Sequence, residues 1–187
     1  LRLRRVASLF VVLATTGLRY SDGQNLTWSD IYYTGKGDIE QQIIRFTTQK
    51  TNQRLMIPLS SYSLTELIRN AKDFEKGKRL IHDILKPNNT LFDYGDIRNY
   101  FKNEDDLKLP LMHQISSVKF NKYIKEVAKS CNFIEPVVIT RKIGSKIVKK
   151  TFKRWEKISS HDCRRTFITL SLEKGMRPET VMSFTGH

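Results

Sequence analysis

The sequence predicts a mixed, mainly helical α+β domain with a small three-stranded antiparallel sheet. Three observations carry this. Apolar residues recur at helical spacing near the start, middle and end of the chain; β-rich runs are confined to two stretches; and no repeat or Pro/Gly/Ser-rich linker divides the 187 residues. In order, Leu3, Val6, Leu9, Phe10 and Leu13 fall on one helical face and Gly17 sits where a helix stops, predicting a helix from about residue 3 to 16. Trp28 to Tyr33, Gln41 to Thr48 and Arg54 to Leu59 read as strands of a meander, separated by Gly35-Lys36-Gly37-Asp38 and Lys50-Thr51-Asn52-Gln53. Ser63 with Glu66 forms a candidate capping box for a helix running to about Lys72. Residues 73 to 112, with a Pro87-Asn88-Asn89 turn and the acidic Glu104-Asp105-Asp106, carry no assigned chemistry.

Phe120, Tyr123, Ile124, Val127, Ala128 and Cys131 give the cleanest amphipathic helix. Val137 to Thr140 and Lys146 to Phe152 flank Lys142-Ile143-Gly144-Ser145 as a β-hairpin. Ser159 and Ser160 offer N-caps to a helix from about His161 to Lys174, with Cys163, Phe167 and Leu170 expected in the core and Gly175 as the stop. Pro178 opens a last short helix closed by Gly186.

The charge narrows the partners. Lys and Arg number 33 against 19 Asp and Glu, a formal net charge of +14 with a pI near 9.9. Such a surplus repels itself unless a polyanion screens it, and nucleic acid is the commonest intracellular one. The stretch from Arg141 to Arg165 concentrates the excess: Arg141, Lys142, Lys146, Lys149, Lys150, Lys153, Arg154, Lys157, Arg164 and Arg165 face only Glu156 and Asp162. Interleaved Ile143, Ile147, Val148, Phe152 and Trp155 make it folded structure with a basic face, suited to tracking phosphates. The longest apolar run, Leu9 to Ala14, is far short of the ~20 residues of a membrane span. Cys131 and Cys163 make no disulfide framework and no zinc-ligand spacing, so a reducing, cytoplasmic setting is expected. The chain begins with Leu1, no targeting leader follows, and it is expected to be cut from something longer.

The sharpest local pattern is His161-Asp162-Cys163-Arg164-Arg165-Thr166-Phe167 at a helix start. His161 and Arg164 share a face, and an imidazole, a guanidinium and free N–H groups together match a phosphate. Alone, such a pair is more often a solvated helix face. Thr16-Gly17-Leu18-Arg19-Tyr20-Ser21-Asp22 places an arginine just after a helix-ending glycine, in a tight turn that can aim it inward. Lys50 would otherwise be a turn lysine, and Thr185-Gly186-His187 a helix C-cap.

Their order changes the weighing. TGLRYSD, a hairpin lysine, HDCRRTF and then TGH, with His187 23 residues after Arg164, resembles the catalytic domain of the tyrosine recombinases, the phage-integrase family. ISSHDCRRTF and the basic hairpin before it resemble integrases of Bacteroides-type mobile elements. The resemblance implies the DNA breaking-rejoining fold over one catalytic domain, residues 1–187. It implies Arg19, Lys50, His161, Arg164 and His187 as catalytic residues, with Arg141, Lys142, Lys146, Lys149, Lys153 and Arg165 gripping DNA. Cys163 and Arg165 stand where the family commonly has Leu and His or Lys. Lys36, on a neighbouring turn, competes with Lys50 for the hairpin-lysine role.

The family's chemistry is attack by a tyrosine on a DNA phosphodiester through a 3′-phosphotyrosyl link, which needs neither metal nor cofactor. Double-stranded DNA is the implied partner, with a tetramer on two DNA sites as the working assembly. The family's nucleophile lies about nine residues past the His187 position, and all seven tyrosines precede Arg164, so the 187 residues alone are expected to be inactive. The family's N-terminal core-binding domain is expected to be absent too. Two other readings compete. In a plain DNA-binding module the Arg/His cluster merely grips backbone. A metal-dependent nuclease or transposase needs converging carboxylates, and Asp93, Asp96, Glu104 and Asp105 match no such motif.

Overall fold

The computed structural model describes residues 2–34, 41–71 and 103–186. His187, Lys36 with its turn, and residues 72–102, including Pro87-Asn88-Asn89, lie outside them. The fold is organised around α1 (Arg2–Thr16), whose Val6, Leu9, Val12 and Leu13 are buried because they repeat at helical spacing. Against it pack α3 (Ser61–Ala71), α5 (Ser117–Ser130) and α7 (Ser160–Glu173). The short helices α2 (Tyr20–Asn25), α4 (Glu104–Leu107) and α6 (Arg154–Lys157) join these layers, and α8 (Pro178–Thr185) closes the described chain.

The meander is antiparallel, in the order β1 (Ile31–Tyr33), β2 (Gln42–Thr47), β3 (Arg54–Pro58). Its register puts Ile31 beside Ile44 and Ile44 beside Ile57, one buried row across all three strands. Residues 109–115 lie alongside 24–28: Leu111 N–H donates to Leu26 C=O at 2.9 Å, and Ile115 N–H to Gln24 Oε1 at 2.8 Å. Leu111 and Met112, from the stretch left unassigned, are thereby core residues.

Several expectations are corrected. Trp28–Asp30 is a 3₁₀ turn and not the start of a strand, because Asp30 Oδ2 accepts from both Thr27 N–H (2.8 Å) and Thr27 Oγ1 (3.0 Å). Ser63 does not cap α3. Ser60 does, its Oγ accepting Ser63 N–H at 3.1 Å, while Glu66 turns away to accept from Ser8 Oγ at 2.5 Å. The stretch from Arg19 to Asp22, read as a tight turn, opens the helical turn α2. Leu170 is half exposed and not core, because the C-terminal half of α7 runs beyond the helices that bury Cys163.

The basic hairpin is longer than its sequence suggested: β4 (Pro136–Ile143) pairs with β5 (Lys146–Lys153) through a two-residue Gly144-Ser145 turn. Gly144 has φ +60, the left-handed conformation that hairpin turns of this length require at their first position. No residue of either strand is buried, so the hairpin stands out from the body as a ribbon. Its base is fixed by Arg154 N–H to Glu135 C=O at 2.9 Å and Trp155 N–H to Phe133 C=O at 3.0 Å.

Candidate phosphate-binding site

Two arginines far apart in sequence converge where the ends of α1 and α8 meet the starts of α2 and α7. Gly17, at φ +70, ends α1 with its N–H bonded to Leu13 C=O at 3.0 Å. That turn delivers Arg19 as the N-cap of α2. Arg164 comes from the second turn of α7, whose start is secured by Ser159 and Asp162: Ser159 N–H and Oγ both donate to Asp162 Oδ2, at 2.7 and 2.9 Å. The next residue N-terminal to Arg164, Cys163, is fully buried and anchors the helix.

Arg164 Nη1 donates to Gly17 C=O at 2.9 Å, and its Nη2 donates to Thr185 C=O. Arg19 Nη2 donates to Gly186 C=O at 3.3 Å. Both guanidiniums are thus oriented by backbone carbonyls at two helix C-termini, where the dipole favours cations. Partial burial, and then the positive charge of Arg19, lower the Arg164 pKa to about 10, with Asp22 opposing; it stays charged at neutral pH.

Asp22 is the residue sequence reasoning missed. It is 3% exposed, its Oδ2 lies 3.8 Å from Arg19 Nη1, and its Oδ1 accepts Gln49 N–H at 3.3 Å. Asp22 therefore ties Arg19 to the β2–β3 turn, and its charge also reaches Arg164. The signal was present in Asp22 standing three residues after Arg19 at a helix start, an i, i+3 pair. Even so, Arg19 Nη1 is buried without a hydrogen bond, the Asp22 contact being too long for one. Among the described residues the local charge is two cations to one anion, and Arg19 Nη1 is a buried donor available to an anion.

The remaining candidates fall in three groups. Lys50 is exposed at the β2–β3 turn, next to the Gln49 that bonds Asp22. The turn is braced by Thr48 N–H to Gln53 C=O (2.9 Å), Asn52 N–H to Thr48 C=O (3.0 Å) and the Thr48–Thr51 hydroxyl pair (2.7 Å). His161 is exposed on the first turn of α7, three residues before Arg164. Arg141, Lys142, Lys146, Lys149 and Lys153 are all exposed on the β4–β5 ribbon, and none of them partners the arginine pair. Arg165 is an exposed surface residue 3.7 Å from Asp162. His187 lies outside the described residues. Tyr20, next to Arg19, is committed elsewhere: its hydroxyl donates to Ile115 C=O, and burial pushes its pKa up to about 12. Among the described residues no group of three or more His, Cys, Asp or Glu could hold a metal ion, and no helix is long and apolar enough to cross a membrane.

No curated protein matches the sequence significantly. Among solved structures, the XerA recombinase is 17% identical, with a TM-score of 0.52 over 98% of this chain and 49% of that one. The Tn1549 transposon integrase, solved in complex with circular intermediate DNA, is 17% identical with a TM-score of 0.46 over 96% of this chain and 49% of that one. The chain spans about half the length of these proteins, and the likeness to XerA supports the same fold. The family profile described as "Phage integrase family" matches residues 3–187, so the chain belongs to the phage integrase family.

Proposed function

We propose that these residues form the catalytic domain of a tyrosine-type site-specific recombinase, which moves DNA strands through a 3′-phosphotyrosyl intermediate. The observation that carries this is the Arg19–Arg164 pair, with Asp22 beside Arg19 and the buried Nη1 of Arg19 without a hydrogen bond. A transferring phosphodiester develops negative charge on its equatorial oxygens, and two fixed, permanently charged guanidiniums can meet it bidentately without a metal. Loss of one such preorganised donor typically costs about 3–4 kcal/mol of transition-state stabilisation, or roughly 100- to 1000-fold in rate.

The other roles follow the chemistry. The leaving 5′-oxygen needs a proton, and Lys50, on an exposed turn beside the Asp22–Arg19 contact, is the general acid in this reading. His161 accepts the tyrosine proton or orients the phosphate, and His187 donates to a phosphate oxygen. The nucleophile is a tyrosine supplied from outside these 187 residues. Double-stranded DNA is the substrate, and the full-length protein works as a tetramer on two sites. The solved Tn1549 integrase complexes contain DNA, and the +14 charge suits the same polyanion.

The test uses the chain extended through the expected tyrosine, incubated with a nicked suicide duplex in EDTA. A covalent protein–DNA adduct is expected; no adduct, or one that requires metal, refutes the proposal. Arg19→Ala or Arg164→Ala should abolish the adduct while gel retention changes little. Equal loss of binding and cleavage would favour the backbone-gripping module.

A further inference from the structure

The β4–β5 ribbon has a tip that a phosphate grip does not explain. Ile143 and Ile147, on either side of the Gly144-Ser145 turn, are 65% and 68% exposed, although isoleucine is among the residues most often buried. The register sets Ile143 across from Lys146 and Ile147 across from Lys142. Since successive strand residues point to opposite faces, each face of the tip carries one isoleucine beside one lysine. The ribbon from 136 to 153 holds Arg141, Lys142, Lys146, Lys149, Lys150 and Lys153 and no acidic residue. Nothing lies within 4 Å of a Cβ built on Gly144, so the tip is sterically open. With strands of eight residues, it stands about 26 Å from its base.

We propose that this ribbon is a DNA-distorting arm whose tip enters the minor groove, Ile143 and Ile147 wedging into base steps on its two faces, while its lysines follow the flanking phosphates. The proposal rests on the recombinase reading for its partner and adds a mechanical role to the arm. Charge complementarity selects the occupant: a cationic ribbon with an apolar end fits a polyanion that has an apolar interior reachable between its charges, and stacked bases are that interior. Apolar wedges of this kind unstack a step and kink duplexes by about 20–90°. Specificity then comes from how readily a step deforms, TA and CA/TG steps yielding most easily.

The experiment uses the 187-residue chain and duplexes carrying 2-aminopurine beside a TA or CA step, with dyes at both ends. The wild type should raise 2-aminopurine emission several-fold and shorten the end-to-end distance. Ile143→Ser/Ile147→Ser should lose both signals and keep the salt dependence of binding; both side chains are exposed, so circular dichroism and melting should be unchanged. Lys149→Ala/Lys153→Ala should weaken binding yet still unstack DNA at saturation. Binding without unstacking by the wild type, undiminished unstacking by the Ile variant, or a preference for anionic vesicles over duplex overturns the proposal. Unstacking with no covalent adduct in the extended chain would instead count against the recombinase chemistry alone.

Discussion

Asp22→Asn isolates the charge balance of the site. The substitution keeps shape and an acceptor for Gln49 N–H, but removes the carboxylate beside Arg19, whose charge also reaches Arg164. At 3.8 Å, the Asp22–Arg19 attraction is about 4 kcal/mol at an effective dielectric near 20. The Arg19 side chain is 23% exposed and water screens part of this, so a net loss of about 2 kcal/mol is expected. For a domain of this size that lowers Tm by about 4–8 °C. The assay is thermal unfolding followed by circular dichroism at low ionic strength, with and without sulfate. Sulfate at about 100 times its Kd adds roughly 2.7 kcal/mol to whichever form binds it. Asp22→Asn, with two unbalanced guanidiniums, should bind it more tightly and recover more of its Tm than the wild type gains. Identical Tm values, or equal sulfate increments in the two proteins, would refute the two-cations-to-one-anion account.

Other perturbations probe neighbouring parts. Gly17→Ala would bring a Cβ within 2.4 Å of the Phe167 ring at φ +70; a loss of about 2–4 kcal/mol is expected in urea unfolding, together with weaker phosphate binding as the Gly17 carbonyl shifts. A thiol reagent at pH 8 should modify only exposed Cys131, and Cys163 should react only on unfolding. Burial raises the Cys163 thiol from 9.0 to about 12, so the unfolded chain releases that proton first and stability should fall as pH rises from about 9 to 12. Lys149→Ala and Lys153→Ala should each reduce the salt slope of duplex binding by about 1, across sequences.

What the sequence revealed was local. The apolar spacing of α1 and α5, the Ser159 cap of α7 and the Pro178 start of α8 are decided within a few residues, and each lies where the spacing placed it. Features decided by distant chain were illegible. Ser63 lost the capping role because Thr15, from α1, bonds its hydroxyl at 2.7 Å. Leu170 keeps helical phase with Cys163 but overhangs the core, a matter of how far neighbouring helices extend. At the site, the family resemblance pointed to Arg19 and Arg164, and the structure brings the two together. The carbonyls that aim them, at Gly17, Thr185 and Gly186, have no signature in side-chain identity. The ribbon's basic character was plain from composition, whereas the exposure of Ile143 and Ile147 followed from strands too long to fold back onto the body.

The acceptors that hold both arginines are main-chain atoms, and no side-chain replacement can delete a carbonyl. The position of the guanidiniums is therefore inherited from the path of the backbone through two left-handed turns, at Gly17 and Gly186. Such a site tolerates wide drift in its surroundings so long as those turns keep their handedness. For engineering, grafting new target preference onto this domain means leaving residues 16–22, 161–164 and 185–186 untouched as a frame and varying the ribbon and the helix faces away from it.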